Sequence, residues 1–288
     1  MKQNKKGAKG KKAKYSSGKS SRYVLKQSSS FYLREAYKAL RTNTSFSLTD
    51  KEGCKIITVT SSLQREGKSM TALNLAISLG QADHKVLIMD CDLRRPKVSR
   101  LLNCSAPAGV SNVLMNPSFL EVALLHDEEH GIDVMLAGDI PPNPSELLAS
   151  PKMAKLLEDL REIYDYIILD TPPVAVVTDA VILAPLSDGV LFVVRAGQTE
   201  RIAVMHAMEQ LEYAKAKVLG FVLNAIDSKD GTNPYNKYRY SKYMRYGHYG
   251  YGYGYGSRGY GYGYGYGYGS RPRPMPNQDQ QSSENEGR

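Results

Sequence analysis

Short apolar runs alternate with amphipathic stretches through the middle of this chain. Residues 68–79 and 200–215 repeat their apolar positions with a helical period, which predicts two helices. Several apolar runs, such as Tyr-Ile-Ile-Leu and Val-Leu-Phe-Val-Val, are nearly continuous, as in strands that are buried on both faces of a sheet. The predicted strands are residues 56–60, 86–90, 133–136, 166–170, 189–195 and 218–224. This alternation indicates an α/β fold with a mostly parallel, doubly wound sheet and helices on both faces.

Charge divides the chain into three parts. Residues 1–26 contain ten Lys or Arg and no acid, and residues 229–288 contain nine basic and four acidic residues in a background of Tyr, Gly and Ser. The ends therefore carry +10 and +5, and because the whole chain carries +9, the middle carries about −6. We predict a basic disordered arm at 1–28, one folded domain at 29–228 and a disordered Tyr/Gly-rich tail at 229–288.

The cysteines and the hydropathy exclude two classes of protein. None of the three cysteines has the CxxC spacing or the neighbouring His residues of a zinc site, which favours a reduced cytoplasmic setting. No apolar run reaches about 18 residues, so the chain is predicted neither to span a membrane nor to carry a signal peptide. The N-terminal cations either form a solvated arm or bind an anionic membrane surface.

A phosphate-binding loop is predicted between the first strand and the first helix. The segment from Thr60 ends in Gly67-Lys68-Ser69, and a P-loop requires this position between a strand and a helix. Its backbone N–H groups would face the phosphates of a nucleotide, with Lys68 as a cation and Ser69 as a Mg²⁺ ligand. Ser62 replaces the first Gly of the usual motif. The alternative for the Gly-Lys-Ser sequence alone is an ordinary helix start.

Three carboxylates follow the ends of two other predicted strands. Asp90 and Asp92 come at and just beyond the end of the second strand, and Asp170 ends a hydrophobic strand that two prolines follow. A single Asp at a strand end is often the N-cap of the next helix. Ligands bind at the carboxyl ends of parallel strands. The ends of these two strands and the end of the strand before the phosphate-binding loop therefore together indicate one nucleotide site.

These motifs together resemble a known family. The segments SSLQREGKS, VLIMDCDLRRP and YDYIILDTPPV are similar to those of the cytoplasmic bacterial tyrosine kinases of capsule and exopolysaccharide synthesis, P-loop ATPases related to MinD and ParA. The resemblance covers residues 30–228, and the Tyr-rich tail extends it. It implies transfer of a phosphoryl group from ATP to protein tyrosines, with Mg²⁺ as cofactor. The chain departs from the family's Pro-Gly-Glu-Gly-Lys, since Gln64-Arg65 replaces Pro-Gly.

The resemblance implies a role for each candidate site residue. Lys68 contacts the phosphates, and Asp90 accepts or orients the incoming tyrosine hydroxyl with support from Asp92, so these three form the predicted catalytic set. The predicted metal ligands are Ser69, Asp92 and Asp170. The predicted nucleotide-binding residues are Ser62, Glu66, Gly67, Lys68, Ser69, Met70 and Asn224.

Some of these assignments keep an alternative. Asn224 either contacts adenine or is a turn residue. Arg94 and Arg95 either hold a phosphate or acidic substrate or are solvated. A further group, Glu35, Lys38 and Arg41, recurs every three residues and resembles the motif of ring contacts in this family, although an intrahelical ion pair explains the same spacing.

The tail contains most of the tyrosines of the chain. Residues 235–268 hold 14 of the 21, mostly as Tyr-Gly repeats that cannot form a packed core. Such a repeat alone is equally typical of an associating low-complexity segment or an RNA-associating one. Beside a tyrosine kinase domain it predicts a substrate. The predicted autophosphorylation sites are Tyr249, Tyr251, Tyr253, Tyr255, Tyr260, Tyr262, Tyr264, Tyr266 and Tyr268.

The resemblance also implies partners. We expect a transmembrane activator of the polysaccharide co-polymerase type, a homo-oligomer formed through contacts between tail and active site, a tyrosine phosphatase and no specific nucleic acid. The protein would then act in the cytoplasm, peripherally at the inner face of the membrane. Two rivals are a MinD/ParA-like positioning ATPase, whose signature Lys is replaced by Leu63, and a non-catalytic scaffold of polysaccharide export.

Overall fold

One large sheet forms the centre of the structure, a computed structural model that describes residues 11–12, 14–15 and 23–226. The chain divides into two units, Met1–Asp230 and Gly231–Arg288, and the described residues lie in the first. The strands are β1 (Lys11–Lys12), β2 (Lys14–Tyr15), β3 (Lys55–Ser61), β4 (Val86–Asp90), β5 (Cys104–Ser105), β6 (Leu124–Asp127), β7 (Ile132–Met135), β8 (Tyr166–Asp170), β9 (Gly189–Arg195) and β10 (Val218–Asn224).

Eight of these strands form the sheet, in the order β1-β6-β7-β4-β8-β3-β9-β10. Only β6 and β7 are antiparallel neighbours among these strands, and β2 pairs separately with β5. Parallel neighbours need crossover connections, and the helices provide them. The helices are α1 (Phe31–Ser47), α2 (Lys68–Gly80), α3 (Val98–Leu102), α4 (Val110–Met115), α5 (Leu120–Ala123), α6 (Pro144–Leu148), α7 (Pro151–Arg161), α8 (Asp179–Leu183) and α9 (Arg201–Tyr213).

The two faces of the sheet pack against different helices. Ile57 of β3 points into a core that it shares with Leu73 of α2, whereas the preceding Ile56 points into a second core with Leu157 of α7. This alternation follows from the two-residue period of a strand. Both sets of side chains are fully buried or nearly so. The predicted fold class, a mostly parallel sheet with helices on both faces, is confirmed.

The packed region begins earlier than the sequence suggested. Val24 and Leu25 are each 1% exposed and belong to the core. The backbone N–H of Leu25 donates to Asn74 Oδ1 of α2, and Asn74 Nδ2 donates to the Tyr23 carbonyl. The predicted boundary between residues 28 and 29 is therefore too late, because Val24 and Leu25, which lie inside the predicted arm, are packed in the same core as α2. The backbone pairing of β1 and β2 also falls within that arm.

Two further expectations concern the ends of the chain. Within residues 23–226 and the two short strands before them, no helix is long and apolar enough to cross a membrane. The predicted tail, residues 229–288, and all its candidate autophosphorylation sites lie outside the described residues.

Candidate active site

The carboxyl ends of three neighbouring strands meet at one edge of the sheet. β8 lies between β4 and β3, and all three run parallel. Asp90 and Asp170, the last residues of β4 and β8, are directly opposite each other in the register. The loop of residues 62–67 leaves the end of β3 and enters α2. The structure thus brings together the predicted phosphate loop and the predicted carboxylates.

Gly67 provides the turn that starts α2. Its φ of +98° lies in the left-handed region, which glycine adopts readily. A Cβ atom at this position would lie 1.8 Å from Asn224 Nδ2, so no other residue fits without a shift. Asn224 Nδ2 donates to the Glu66 carbonyl at 2.9 Å. The end of β10 therefore packs directly against the phosphate loop, and Asn224 holds that loop's backbone.

Glu66 holds the loop from inside. Its side chain is buried, and its carboxylate accepts hydrogen bonds from the Ser62 hydroxyl, the Leu63 backbone N–H and the Thr199 hydroxyl. Two of these donors come from the phosphate loop itself, and the third comes from the loop after β9. Buried carboxylates are stable only with such partners. The structure gives Ser62 and the Glu66 side chain a role in shaping the loop. Nucleotide contacts of these two residues stay a prediction.

Lys68 lies between two acids at the start of α2. Lys68 Nζ is 3.1 Å from Asp92 Oδ2 and 3.5 Å from Asp170 Oδ1, and it also donates to Ser69 Oγ at 3.3 Å. Burial lowers the pKa of Lys68, but Asp170 and Asp92 outweigh this effect and raise that pKa above its ordinary value. Lys68 therefore carries its charge at neutral pH. Met70 follows Ser69 in α2 and is partly exposed.

Asp90 has no exposed surface, and backbone groups surround it. Its Oδ2 accepts the N–H groups of Lys97 and Val98 at 2.9 Å, and its Oδ1 accepts that of Asp92 at 3.2 Å. These bonds fix the loop that leads into α3. Burial, and then the charge of Asp170, raise the pKa of Asp90 to about 7. Oδ1 retains one lone pair, so Asp90 combines a structural role with the capacity to accept a proton.

Asp170 has an unused ligand atom. Its carboxylate is completely buried, and Oδ2 has no hydrogen-bond partner. Burial raises the pKa of Asp170, although Lys68 and Ser69 oppose that effect. A buried carboxylate oxygen beside a Ser hydroxyl fits Mg²⁺, which binds few protein ligands and otherwise keeps water and phosphate oxygens. No cluster of three or more His, Cys, Asp or Glu in residues 23–226 could hold a metal alone, so a nucleotide would have to complete this site.

Arg94 has partners within the fold, although 37% of its side chain is exposed. It forms an ion pair with Asp179 through Nε at 3.0 Å and donates to Ser145 Oγ at 2.7 Å. Ser145 in turn donates to Asp179 Oδ1 at 2.6 Å. Asp179 is fully buried at the start of α8, so the Arg94 guanidinium supplies its counter-charge. This triad connects the loop after Asp92 with α6 and α8.

Three residues that hold the site together, Ser145, Asp179 and Thr199, are not among the residues that the sequence predicted. Each is remote in sequence from its partner, and each lies in a loop or at a helix start with no recognisable spacing. The repeated acidic and hydroxyl residues after the Pro-Pro stop and after β9 are the only signals that the sequence contains. Arg95, by contrast, contacts the phosphate loop, since its Nη1 donates to Gln64 Oε1 at 3.0 Å.

The candidate oligomer residues lie on α1, away from the phosphate loop. Lys38 pairs with Glu35 at 2.8 Å within the helix, and both side chains are at least 36% exposed. Arg41 Nη1 donates to the Ser78 carbonyl near the end of α2. The intrahelical ion pair that the spacing allowed is thus formed, and ring contacts by these residues stay a prediction.

Comparisons with known proteins agree with this geometry. The ParA family model, described as NUBPL iron-transfer P-loop NTPase, matches residues 54–238. The chain is 38% identical to tyrosine-protein kinase YwqD of Bacillus subtilis (strain 168) over 75% of this chain and 86% of YwqD. It is also 35% identical to tyrosine-protein kinase etk of Escherichia coli (strain K12) over 69% of this chain, but over only 27% of that relative.

A solved structure extends the likeness to three dimensions. The kinase domain of Escherichia coli tyrosine kinase ETK superposes with a TM-score of 0.70 and 32% identity, over 82% of this chain and 86% of that domain. A nucleotide-binding P-loop fold with the predicted carboxylates at its strand ends is therefore present in a chain whose relatives are named tyrosine kinases. The chain belongs to the bacterial tyrosine-protein kinases, a family with the ParA-type P-loop NTPase fold.

Proposed function

We propose that this kinase uses ATP and Mg²⁺ to phosphorylate tyrosines of its own C-terminal tail. One observation carries the ATP and Mg²⁺ part of the proposal: Lys68 lies between Asp92 and Asp170, and the unpartnered Asp170 Oδ2 lies in the same cluster as Ser69. A cation and a free carboxylate oxygen beside a phosphate loop suit a triphosphate and its metal ion.

The proposed chemistry is an in-line phosphoryl transfer. A tyrosine oxygen forms a bond to the γ-phosphorus while the bond to the β,γ-bridging oxygen breaks, and ADP leaves. Lys68 and the loop N–H groups bind the phosphates, while Ser69 and Asp170, with Asp92 beside them, would hold Mg²⁺, which neutralises phosphate charge. Asp90 accepts the tyrosine proton, since a pKa of about 7 matches a base that works at neutral pH.

The tail suits the proposed substrate role through its composition. Fourteen tyrosines follow the last described strand within residues 235–268, separated mostly by single glycines that leave the chain free to enter an active site. We place the acceptors among the nine tyrosines from Tyr249 to Tyr268. A neighbouring copy that presents its tail would form the homo-oligomer, with Glu35, Lys38 and Arg41 as further contacts.

Regulation of capsule or exopolysaccharide synthesis is part of the same proposal. The chain covers most of YwqD but only 27% of etk, so in that relative the matching region is one part of a much longer protein. We propose that a transmembrane activator acts on this protein and holds it at the inner face of the membrane. A tyrosine phosphatase would return the tail to its unmodified state.

The experiment follows transfer of ³²P from ATP to tyrosine in the full chain, with and without Mg²⁺. Lys68→Met and Asp170→Asn should each reduce phosphotyrosine by at least about a hundredfold, a loss typical of removing one group that stabilises the transition state. Asp159→Asn, an exposed acid on α7, is the matched control and should retain full activity. Mass spectrometry should locate phosphate on tail tyrosines, whereas ATP hydrolysis without phosphotyrosine would support the positioning-ATPase alternative.

A further inference from the structure

In the active site the acidic side chains are buried, whereas the nearby arginines are at least partly exposed. The five carboxylates of the site are all nearly or completely inaccessible, with residues at most 4% exposed. The arginines that surround the phosphate loop instead reach solvent. A ligand that approaches the mouth of the site therefore meets positive charge first. The five acids are Glu66, Asp90, Asp92, Asp170 and Asp179.

One of these arginines lies in the phosphate loop and two contact it, and we name Arg65, Arg95 and Arg195 the arginine rim. Arg95 Nη1 donates to the side chain of Gln64, and Arg195 Nη1 donates to the Arg65 carbonyl, both at 3.0 Å. Because Gln64 and Arg65 are consecutive, these contacts hold the guanidinium groups of Arg95 and Arg195 against two neighbouring residues of the loop, one of which is itself an exposed arginine. Arg94 is excluded, since Asp179 neutralises it.

Arg65 is the residue of the rim that packing explains least. Its φ of +65° lies in the left-handed region, where a side chain is disfavoured and glycine is not. Its guanidinium makes no hydrogen bond or ion pair within the described part of the chain, and the residue is exposed. A charged side chain in a disfavoured backbone conformation, without an internal partner, points to an external anion.

The tail can supply such an anion only after it has been modified. Residues 231–278 contain no Asp or Glu, so the unmodified repeat offers the rim no negative charge. A phosphotyrosine carries about −1.5 to −2 charges and three acceptor oxygens, which arginine forks bind well. Neighbouring tyrosines of the repeat are two residues apart, so their Cα atoms are separated by about 7 Å at most. A phosphotyrosine bound at the rim would therefore hold the next tyrosine beside the phosphate loop.

We propose that the arginine rim binds a phosphotyrosine of an already modified substrate and thereby favours phosphorylation of the adjacent tyrosine. The inference rests on the proposed tyrosine kinase function. It specifies the preferred substrate as a tyrosine that lies next to a phosphotyrosine. The first phosphate is then added to a neutral repeat, and later phosphates are added preferentially beside existing ones. The rim acts in binding, and the phosphoryl transfer itself is unchanged.

The test compares two peptides as substrates of the full chain. Both span residues 247–257, and one carries a phosphate on Tyr253. We expect kcat/KM for the remaining tyrosines to be about tenfold higher in the phosphorylated peptide, the size of one charge-assisted contact. The ratio between the peptides does not depend on how active the preparation is. If neither peptide gains phosphate, the proposed kinase function itself is wrong. Equal kcat/KM values for the two peptides would overturn only the proposal that the arginine rim binds a phosphotyrosine.

Variants connect the preference to the arginines. Arg65→Gly removes a guanidinium and also relieves the backbone conformation, so the protein should fold at least as stably. Arg65→Gly and Arg95→Gln should each reduce the preference at least threefold, a fraction of the expected tenfold. The preference is a ratio of two kcat/KM values for the same variant, so it does not depend on how active that variant is with the unmodified peptide. Arg100→Gln, an exposed arginine on α3 without a bond to the phosphate loop in the described residues, should retain the preference.

Two results would contradict this assignment. If Arg65→Gly and Arg95→Gln raise KM for ATP equally with both peptides, the arginine rim binds the nucleotide and not the phosphotyrosine. If Arg100→Gln loses as much preference as they do, the effect comes from net charge and not from a site. Fluorescence anisotropy of the two labelled peptides without ATP provides a measure that needs no catalysis, and the phosphorylated peptide should bind about tenfold more tightly to the wild-type chain.

Discussion

The Thr199 hydroxyl donates a hydrogen bond to Glu66 Oε1 across 133 residues of sequence. Thr199 also accepts the backbone N–H of Arg195 at 2.7 Å, so one hydroxyl connects the end of β9 with the inside of the phosphate loop. The loop lacks the first glycine of its motif, and its conformation depends on side chains outside it. Thr199 is a positioning residue, because it acts on the nucleotide site through Glu66.

Thr199→Val should therefore weaken both the fold and nucleotide binding. It leaves a buried carboxylate one donor short, which costs about 1–3 kcal/mol. Urea unfolding should show this loss, and KM for ATP should rise while kcat changes less. Thr199→Ser keeps the hydroxyl and should restore both values. A Ser variant as impaired as the Val variant would show that methyl packing, and not the hydrogen bond, is responsible.

Gly67→Ala should abolish nucleotide binding in a chain that still folds. The new Cβ would lie 1.8 Å from Asn224 Nδ2, and a φ of +98° is itself unfavourable for alanine. Binding of a fluorescent nucleotide measures the effect. Adding Asn224→Ala removes the clash but not the backbone cost, so the double variant should recover only part of the binding. Unchanged nucleotide affinity in Gly67→Ala would contradict the packing described for this loop.

Stability without nucleotide should fall as the pH rises from about 5 to 8. Burial raises the pKa of Asp90 to about 7, well above its value of 3.8 in an unfolded chain. Between these values the folded state binds more protons than the unfolded state, so rising pH favours unfolding until Asp90 has ionised near pH 7. Asp170, whose pKa burial also raises, contributes with the same sign. Thermal unfolding at constant ionic strength measures the slope.

Asp90→Asn provides the control for this pH dependence. Asparagine does not ionise, so the slope between pH 5 and 8 should become smaller, although the variant also loses hydrogen-bond acceptors for Lys97 and Val98. Asp165→Asn changes an acid of which half the side chain is exposed, and it should retain the wild-type slope. An equal slope in wild type and Asp90→Asn would assign the effect to other groups.

Arg94→Ala should destabilise the fold more than Arg95→Ala. Removing Arg94 leaves the fully buried Asp179 without its counter-charge, at a cost of about 2–4 kcal/mol. Arg95 loses an exposed hydrogen bond to Gln64, which is worth under about 1 kcal/mol. Denaturant unfolding of the two variants measures the difference. Arg94→Lys should recover little, since an ammonium group cannot contact Asp179 and Ser145 in the same forked geometry.

The elements that sequence predicted well have a strong periodicity or a continuous apolar run. All six predicted strands and the helices after β3 and β9 are present. The sequence signal is clearest for β4 and β8, which are buried along their whole length, because burial on both faces requires almost uninterrupted apolar residues. The short elements α3, α4 and α5 lack enough turns to show a period. Residues 11–15 were predicted to belong to a charged arm, and their two short strands were not predicted. Backbone pairing of this kind depends on the neighbouring strand and not on the side-chain pattern, so the sequence does not reveal it.

The candidate site also has a part that the sequence predicted and a part that it did not. Lys68, Asp90 and Asp170 could be predicted because they lie at or near the ends of parallel strands, and parallel topology alone brings such ends together. Sequence could not reveal that Glu66 needs Thr199 or that Arg94 neutralises Asp179, because those pairs depend on how loops cross the top of the sheet. A buried charge requires a partner, but its identity emerges only from the fold.

Asn74 determines where a shortened form of this protein can begin. Its side-chain amide is occupied on both sides by the backbone of Tyr23 and Leu25, six residues along the same helix from Lys68. A truncated protein starting at residue 29 would remove Val24 and Leu25 from the core and leave the buried Asn74 amide without these partners, in the helix that follows the phosphate loop. A shortened protein for crystallisation or kinetics must therefore include Tyr23, and versions that begin later should lose nucleotide affinity for reasons unrelated to catalysis.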